Sequence, residues 1–371
     1  LKVLVVNCGS STVKSAIVET RDGQRIAESH SETTGEYEQA VTAALLQMDL
    51  TDVRAVGHRV VHGGTRFMQP TLLDESVLRI LEESNELAPL HNPPAIAGIR
   101  AARALLPRLP HVAVFDTAFH STLPPHAYTY AIPAELAERY SIRRFGFHGT
   151  SHAFVATAAS QHLGVPAQDL RIVSCHLGNG SSITAIERGR SVETSMGMTP
   201  LEGLVMGTRG GDIDPGALLH LLRVGACDAQ QLDELLNRKS GLLALAGTYD
   251  MREIERGAAR GDERCELALE IFAHRARKYI GAYAAVMGGV DVIAFTGGIG
   301  ENSSAVRERI CRNLGFLGVS LDAERNRAVR AQRAGEVTGV SAAGSVVHVL
   351  VVAADEELAI ARDVAALLDS L

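Results

Sequence analysis

The sequence predicts an α/β protein built from two related halves. Short apolar runs of strand type alternate with helical patterns along the chain. A Gly-Ser-Ser turn between two strands occurs near the start and again near residue 180. Hydrophobic residues make up 46% of the 371, enough for more than one core.

Leu1–Asn7 is an apolar run and reads as a buried strand; Cys8-Gly9-Ser10-Ser11 turns the chain, and Thr12–Glu19 returns as the second arm of a hairpin. Glu36–Asp49 repeats apolar residues at helical spacing, and Val53–His58 is strand-like. Asp74–Glu86 and Pro93–Leu106 read as helices, the second with Asn92 as N-cap and prolines in its first turn. His111–Phe115 is a strand ending at Asp116. Leu170–Cys175 then reopens the first theme, with a turn over His176–Ser182 and a strand over Ile183–Glu187. Asn179-Gly180-Ser181-Ser182 echoes Asn7-Cys8-Gly9-Ser10-Ser11, which marks a duplication on the scale of a domain. Helical patterns follow at Asp214–Val224, Ala229–Asn237 and Asp262–Met287. Strand Val290–Phe295, a glycine turn at Gly297–Gly300, helix Ser303–Leu314, strand Val346–Val351 and helix Glu356–Leu368 complete the chain. The last helix is expected to return to the N-terminal half.

The net charge of −7 and pI of about 6.1 leave no basic footprint for nucleic acid. Four lysines stand against 32 arginines, so most positive charge sits on a group that grips carboxylate or phosphate with two bonds. The five cysteines, Cys8, Cys175, Cys227, Cys265 and Cys311, are scattered without a C-x-x-C pair, which argues against a disulfide framework or zinc site. No apolar run approaches the roughly 18 residues of a membrane span, and a strand begins at once with no signal peptide before it. A reducing cytoplasm and no membrane partner are the expectation.

Three glycine turns follow apolar strands: Gly9–Thr12, Gly178–Ser182 and Gly297–Gly300. Converging backbone amides in such turns cradle phosphate, and the hydroxyls of Ser10, Ser11, Thr12, Ser181 and Ser182 add donors. Lys14 follows the first turn as a mobile charge. One such turn alone reads as a tight hairpin; three in one chain point to a nucleotide. G-x-x-x-x-G-K-[ST] and G-x-G-x-x-G are both missing, so P-loop and dinucleotide folds are excluded. What remains is the duplicated actin-like/RNase H-like ATPase architecture. It implies two lobes with an active-site cleft between them and ATP phosphates between two hairpin turns. Approximate limits are 1–149 plus 357–371 for the N-terminal lobe and 150–356 for the C-terminal lobe.

Longer motifs carry a closer likeness. Asn7-Cys-Gly-Ser-Ser-Thr-Val-Lys14, His58-Arg-Val-Val-His-Gly-Gly64, Phe115-Asp-Thr-Ala-Phe-His120 and Phe145-Gly-Phe-His-Gly-Thr-Ser-His152 come first. His176-Leu-Gly-Asn-Gly-Ser-Ser182, Thr194-Ser-Met-Gly-Met-Thr-Pro-Leu-Glu-Gly203 and Met206-Gly-Thr-Arg-Gly-Gly-Asp-Ile-Asp-Pro215 follow. Asp250-Met-Arg252, Gly297-Gly-Ile-Gly-Glu-Asn302 and Asp355-Glu-Glu357 close the set. In this order, from first strand to last helix, the sequence resembles the acetate kinase (acetokinase) family.

The resemblance implies Asp116, His148 and Arg209 as catalytic residues, and Arg59, Val61, Leu90, Phe147 and Pro200 as the acid-binding set. It implies nucleotide contacts from Ser10, Thr12, Lys14, His176, Leu177, Gly178, Asn179, Gly180, Asp250, Met251, Arg252, Gly298, Ile299, Gly300, Glu301 and Asn302. Asn7 and Glu356, with Glu357 as the adjacent ambiguity, match positions linked to Mg2+, for which Mn2+ is an alternative. Two stretches depart from the family pattern. Ala353-Ala354-Asp355 stands where Pro-Thr-Asn is usual, and Gly247-Thr248-Tyr249 replaces a small, serine-rich run.

The implied activity is Mg-dependent phosphoryl transfer between ATP and acetate, giving ADP and acetyl phosphate, by a homodimeric phosphotransferase. Bringing two anions together calls for arginines, and Arg59 and Arg209 stand in motifs rather than on a charged run. An ionised carboxylate needs no general base, so Asp116 is expected to orient an arginine or the metal shell. His148 and His152 share i,i+4 spacing, but Gly149 and the lack of H-E-x-x-H argue against zinc. Propionate or butyrate kinase is the alternative within the class. An ATP-driven binding switch of actin or chaperone type would need a further polypeptide-binding domain, and a sugar kinase does not suit the arginine motifs.

Overall fold

The computed structural model describes residues 1–9, 12–33, 35–83, 85, 91–329 and 333–371. Twelve strands among them sort into two six-stranded sheets. In the first, β1 (Lys2–Cys8), β2 (Thr12–Glu19), β3 (Arg25–Glu32), β4 (Ala55–Val60), β5 (Thr71–Leu72) and β6 (His111–Phe115) run in the order β3-β2-β1-β4-β6-β5. In the second, β7 (Arg171–Leu177), β8 (Ser181–Glu187), β9 (Arg190–Thr194), β10 (Val292–Thr296), β11 (Val337–Gly339) and β12 (His348–Val352) run β9-β8-β7-β10-β12-β11.

The two orders are one topology used twice. A hairpin (β1–β2, β7–β8) extends to a third antiparallel strand. Its first strand begins a parallel set of three (β1-β4-β6, β7-β10-β12), and a short antiparallel strand closes the far edge. Even the irregularity recurs: β2 shifts register against β3 after Ile17, and β8 against β9 after Ala185. Each lies four residues beyond the first partner at the hairpin turn, Val13 opposite Cys8 and Ser181 opposite Leu177. This is the duplicated actin-like ATPase fold, and the duplication read from the Gly-Ser-Ser turns is present. The strand pairing makes His176, not Asn179, the counterpart of Asn7, because both are the penultimate residues of their strands.

The chain divides into two units. The first comprises Leu1–Ser121, Phe147–Phe154 and Asp355–Leu371. Its β1 is buried on both faces from Val3 to Cys8, as a strand covered by helices on each side must be. Leu4, Val6 and Cys8 join Val56 in a core with Val41 and Leu45 of helix Tyr37–Leu46 and Ala101 and Ala102 of helix Asn92–Leu105. The period of two sends Val3, Val5 and Asn7 the other way. That face is covered by helix Glu356–Asp369, packed so closely that a Cβ on Gly57 would stand 2.8 Å from Ile360 and 2.9 Å from Val364. The closing helix thus belongs to the N-terminal unit.

The second unit, Thr122–Gly146 and Val155–Ala354, is centred on helix Glu263–Val286. Its buried Leu269, Phe272, Ala276 and Ile280 join Val173, Cys175, Ile183 and Phe295 of the sheet in one core.

Several elements differ from expectation. Asn92 is the first residue of its helix, not the cap, and its side chain instead accepts from His62 N at 3.2 Å and donates to His62 O at 3.1 Å. Gly297–Gly300 is not a hairpin turn: the left-handed Gly297 (φ 77°) leads β10 directly into helix Gly297–Asn302. Edge strands β3, β5, β9 and β11 lacked the apolar runs that mark central strands. Among the described residues no helix is long and apolar enough to cross a membrane.

Candidate active site

The parallel strands of the first unit place three polar residues on one face. Asn7 on β1, Arg59 on β4 and Asp116, one residue past β6, all lie at carboxyl ends of adjacent strands. This is where open α/β sheets present functional groups. All three face the closing helix, whose first residue is Glu356. Arg59 donates to Asp116 through Nε (3.0 Å to Oδ1) and Nη2 (2.6 Å to Oδ2), a two-pronged pair. Glu356 Oε1 lies 2.8 Å from Arg59 Nε, and Asn7 Nδ2 donates to Glu356 Oε2 at 3.0 Å. Arg59 Nη1 reaches Asn7 Oδ1 at 3.3 Å. Glu357 turns away and pairs with Arg25 at 2.9 Å, so Glu356 is the glutamate that joins this cluster.

The electrostatics follow from two carboxylates sharing one guanidinium in a buried corner. Burial works against the Arg59 charge, but Asp116 and Glu356 more than restore it and raise its pKa. Burial raises Glu356 to about 7; Arg59 opposes this rise, and the Asp116 charge adds to it. Lys14, opposite Asn7 in the β1–β2 ladder, favours the ionised form of Glu356. A proton on Glu356 is therefore easily gained or lost near neutral pH. The corner's donors are hard oxygens of Asn7, Asp116 and Glu356, the set that suits Mg2+. No group of three or more His, Cys, Asp or Glu forms a cage among the described residues.

The Phe147-His148-Gly149 turn is tied to the same corner. Gly149 N donates to Asp116 O at 2.8 Å, and a Cβ on Gly149 would collide with that carbonyl. His148 holds φ at 56°, a left-handed conformation uncommon outside glycine. Phe147 is fully buried with its ring edge-on to His62 at 5.6 Å, its carbonyl meets His120 Nε2 at 2.9 Å, and Val61 is buried beside β4. The helix begins at Gly149, so His148 lies outside it and does not share a helical face with His152. Leu90 and Ser10 lie outside the described residues, and Thr12 O accepts from Gly9 N at 2.8 Å in closing the first turn.

The departure at Ala353-Ala354-Asp355 has a physical account. Asp355 caps the closing helix by accepting from Leu358 N at 2.9 Å, and it takes two bonds from Arg25, at 2.9 and 3.3 Å. The glutamate that follows is thereby fixed in place.

In the second unit the position matching Arg59 is Thr296, opposite His176 in the β7–β10 ladder. Its hydroxyl donates to the Glu301 carboxylate at 3.2 Å. Gly178 N closes the β7–β8 turn onto Gly180 O at 3.1 Å, and Asn179 O accepts from Gly207 N at 2.9 Å. That bond brings the Met206–Arg209 segment to the turn. Arg209 Nη1 donates to Pro200 O at 2.6 Å; among the described residues it makes no ion pair, and burial lowers its pKa to about 10. Gly178, Asn179, Asp250, Met251, Arg252, Gly298, Ile299 and Asn302, all expected nucleotide contacts, line one pocket of about 560 Å3. Tyr249 and Glu255 line it as well. Leu177 is buried in the core and Gly300 against it. Glu301 turns inward to accept from Gly297 N (3.0 Å), Thr296 Oγ1 (3.2 Å) and Ala354 N (3.3 Å).

Motif reading missed the scaffold behind Arg209. Arg144 donates to the carbonyls of Thr194 and Met196 at 3.0 Å and to Glu202 at 2.7 Å, and Tyr130 hydroxyl also reaches Glu202 at 2.5 Å. Asp212 accepts from Gly203 N at 2.9 Å and from Tyr279 hydroxyl at 2.9 Å. These bonds hold the 194–203 strap that carries Pro200.

Comparison with known proteins agrees with this geometry. The model of the acetokinase family matches residues 27–362. The chain is 48% identical to the acetate kinase of Heliobacterium modesticaldum over 394 residues, covering 97% of this chain and 98% of that one. Its structure is similar to the crystal structure of Porphyromonas gingivalis acetate kinase, with TM-score 0.92, 41% identity and 99% of each chain covered. It is also similar to that of a propionate kinase from Francisella tularensis, with TM-score 0.90, 38% identity and 98% of each covered. The chain belongs to the acetokinase family.

Proposed function

We propose that the chain transfers the γ-phosphoryl group of ATP to the carboxylate of acetate, reversibly, giving acetyl phosphate and ADP. The observation that carries this is the Arg59–Asp116 pair, joined by Asn7 and Glu356 at the carboxyl ends of three parallel strands. It supports a guanidinium held charged and aimed, next to oxygens able to hold a metal. Asn7 and Glu356 would hold Mg2+, which when bound neutralises nucleotide phosphate charge.

The remaining steps use the chain's own groups. Acetate is ionised at pH 7, so its oxygen attacks the γ-phosphorus with no proton to remove. The bond to the β-phosphate oxygen breaks, and ADP leaves with its electrons. Arg59 Nη1, whose bond to Asn7 is long at 3.3 Å, is the donor most readily given to substrate. Asp116 fixes the guanidinium plane. Arg209, charged at neutral pH, and His148 supply positive charge and hydrogen bonds to the phosphoryl oxygens. Phe147, Val61 and Pro200, with Leu90, limit the acid to a short chain. An added methylene changes binding by only about 1–3 kcal/mol, so propionate is a poorer substrate of the same site.

A homodimer is part of the proposal. Helix Pro215–Arg223 has no buried residue, and Leu219 and Leu222 on it and Val224 beyond it are exposed. A self-complementary contact would cover such a face. All five cysteines are free, which supports a reducing, cytoplasmic setting.

Trapping of acyl phosphate with hydroxylamine, run with MgATP and acetate, propionate, butyrate or glycerol, tests the activity. Hydroxamate with acetate above propionate is expected. No hydroxamate with any acid contradicts the proposal.

A further inference from the structure

The pocket of the second unit that holds the expected nucleotide contacts has an aromatic wall that the family motifs do not account for. Tyr249 lines it, with 56% of its surface exposed, in a chain with no tryptophan and only 4% aromatic residues. Tyr140 and Phe316 are exposed to a similar or greater degree, but among the residues lining this pocket Tyr249 is the one aromatic ring. The segment that carries it is set in place. Gly247 ends helix Gly241–Ala246 in the left-handed conformation (φ 79°). Thr248 Oγ1 then accepts from Asp250 N at 3.2 Å and donates to Glu253 at 2.7 Å.

Several of the polar side chains around the ring are engaged with one another. Asp250 caps helix Met251–Ala259 and takes two bonds from Arg252, at 3.0 and 2.6 Å. Asn302 Nδ2 donates to Gly298 O at 2.9 Å, and Glu255 accepts from Ser303 hydroxyl. The apolar side chains that line the pocket are Tyr249, Met251 and Ile299. Such a wall grips a flat, polarizable ring by its face and does not read its edge.

We infer that Tyr249 stacks on the nucleobase and sets base preference in this chain, favouring purines over pyrimidines. This rests on the nucleotide reading above and deepens it. Stacking strength follows ring area, so a purine gains more than a pyrimidine, and a base-free polyphosphate gains nothing.

The test is calorimetric titration of the full chain with ADP, CDP and pyrophosphate, comparing the unsubstituted protein with Tyr249→Ala and Tyr249→Phe. ADP is expected to bind the unsubstituted chain more tightly than CDP. Tyr249→Ala should weaken ADP by about tenfold and leave pyrophosphate unchanged. Tyr249→Phe should keep ADP affinity within about twofold, since its ring stacks equally well. Equal ADP binding by the unsubstituted chain and Tyr249→Ala overturns the inference, as does a Phe variant as weak as the Ala variant. Equal loss of ADP and pyrophosphate in Tyr249→Ala also overturns it, because the residue would then act on the fold. Failure of the unsubstituted chain to bind ADP at all overturns the nucleotide reading, and this inference with it.

Discussion

The guanidinium of Arg59 meets the carboxylate of Asp116 edge to edge, Nε to Oδ1 at 3.0 Å and Nη2 to Oδ2 at 2.6 Å. Both groups are buried or nearly so, and Glu356 adds a second carboxylate at 2.8 Å. Arg59→Ala would strand the buried carboxylate of Asp116 and take the cation from the half-buried Glu356. Loss of one partner of a buried pair costs about 3–5 kcal/mol, so denaturant unfolding should show a fall of that order together with loss of turnover. Arg59→Lys keeps the charge but not the fork. It should recover much of the stability and little of the activity.

His148 separates function from fold. Its left-handed backbone (φ 56°) costs a residue with a Cβ about 1 kcal/mol, which glycine would relieve. The added chain entropy of glycine is of similar size and opposite sign. The backbone terms of His148→Gly therefore nearly cancel, and a denaturant unfolding curve measures what the side chain contributes, while kcat should fall about 100-fold or more. A variant that keeps turnover would remove His148 from the reaction.

Gly149 is fixed by sterics. A Cβ there would collide with the carbonyl of Asp116, whose carboxylate holds Arg59. Gly149→Ala should displace Asp116 and lower both melting temperature and kcat. Unchanged values in a thermal melt and a turnover assay would mean the turn relaxes freely.

The legible part of the site was the part written in contiguous motifs. Arg59, Asp116 and His148 each stand in a run of six or more informative residues, and β1, β4 and β6 are apolar enough to announce themselves. The contact between Asn7 and Glu356 joins residues 349 apart, and no local spacing encodes it. The period of two explains it only once strand order is known. β3 was missed because Arg25–Glu32 is largely solvated and carries charge, as an edge strand should. Asn92 looked like a cap because asparagine before proline usually is one; its burial against His62 is a tertiary effect. The motif that makes Glu301 an expected nucleotide contact gave no sign that its carboxylate also organises the β10 junction.

Acid sensitivity should come from a pair outside the site. His58 and His111 are buried, stacked at 5.2 Å between ring centroids, with Nε2 of His58 2.9 Å from Nδ1 of His111. Burial holds both below the ordinary histidine pKa, and for His58 the charge of His111 adds to this. The unfolded chain therefore binds protons that the native chain does not as pH falls through about 6.5. Stability present above that pH is lost below it, by up to about 1.4 kcal/mol per pH unit for each histidine. Melting temperature should drop between pH 7.5 and 5.5, and His58→Leu/His111→Leu should flatten the profile. An equally steep profile in the double variant would place the titration elsewhere.

The proposed reaction moves a phosphoryl group between a small carboxylate and a nucleotide, with Arg209 stabilising the group in flight. ATP formation from acetyl phosphate and MgADP, followed by luciferase, tests it most directly in the unsubstituted chain and in Arg209→Ala. The account predicts rapid ATP formation, reduced about 1,000-fold in the variant, with the melting temperature close to that of the unsubstituted chain. No ATP from the unsubstituted chain, or a near-equal rate from Arg209→Ala, would contradict it.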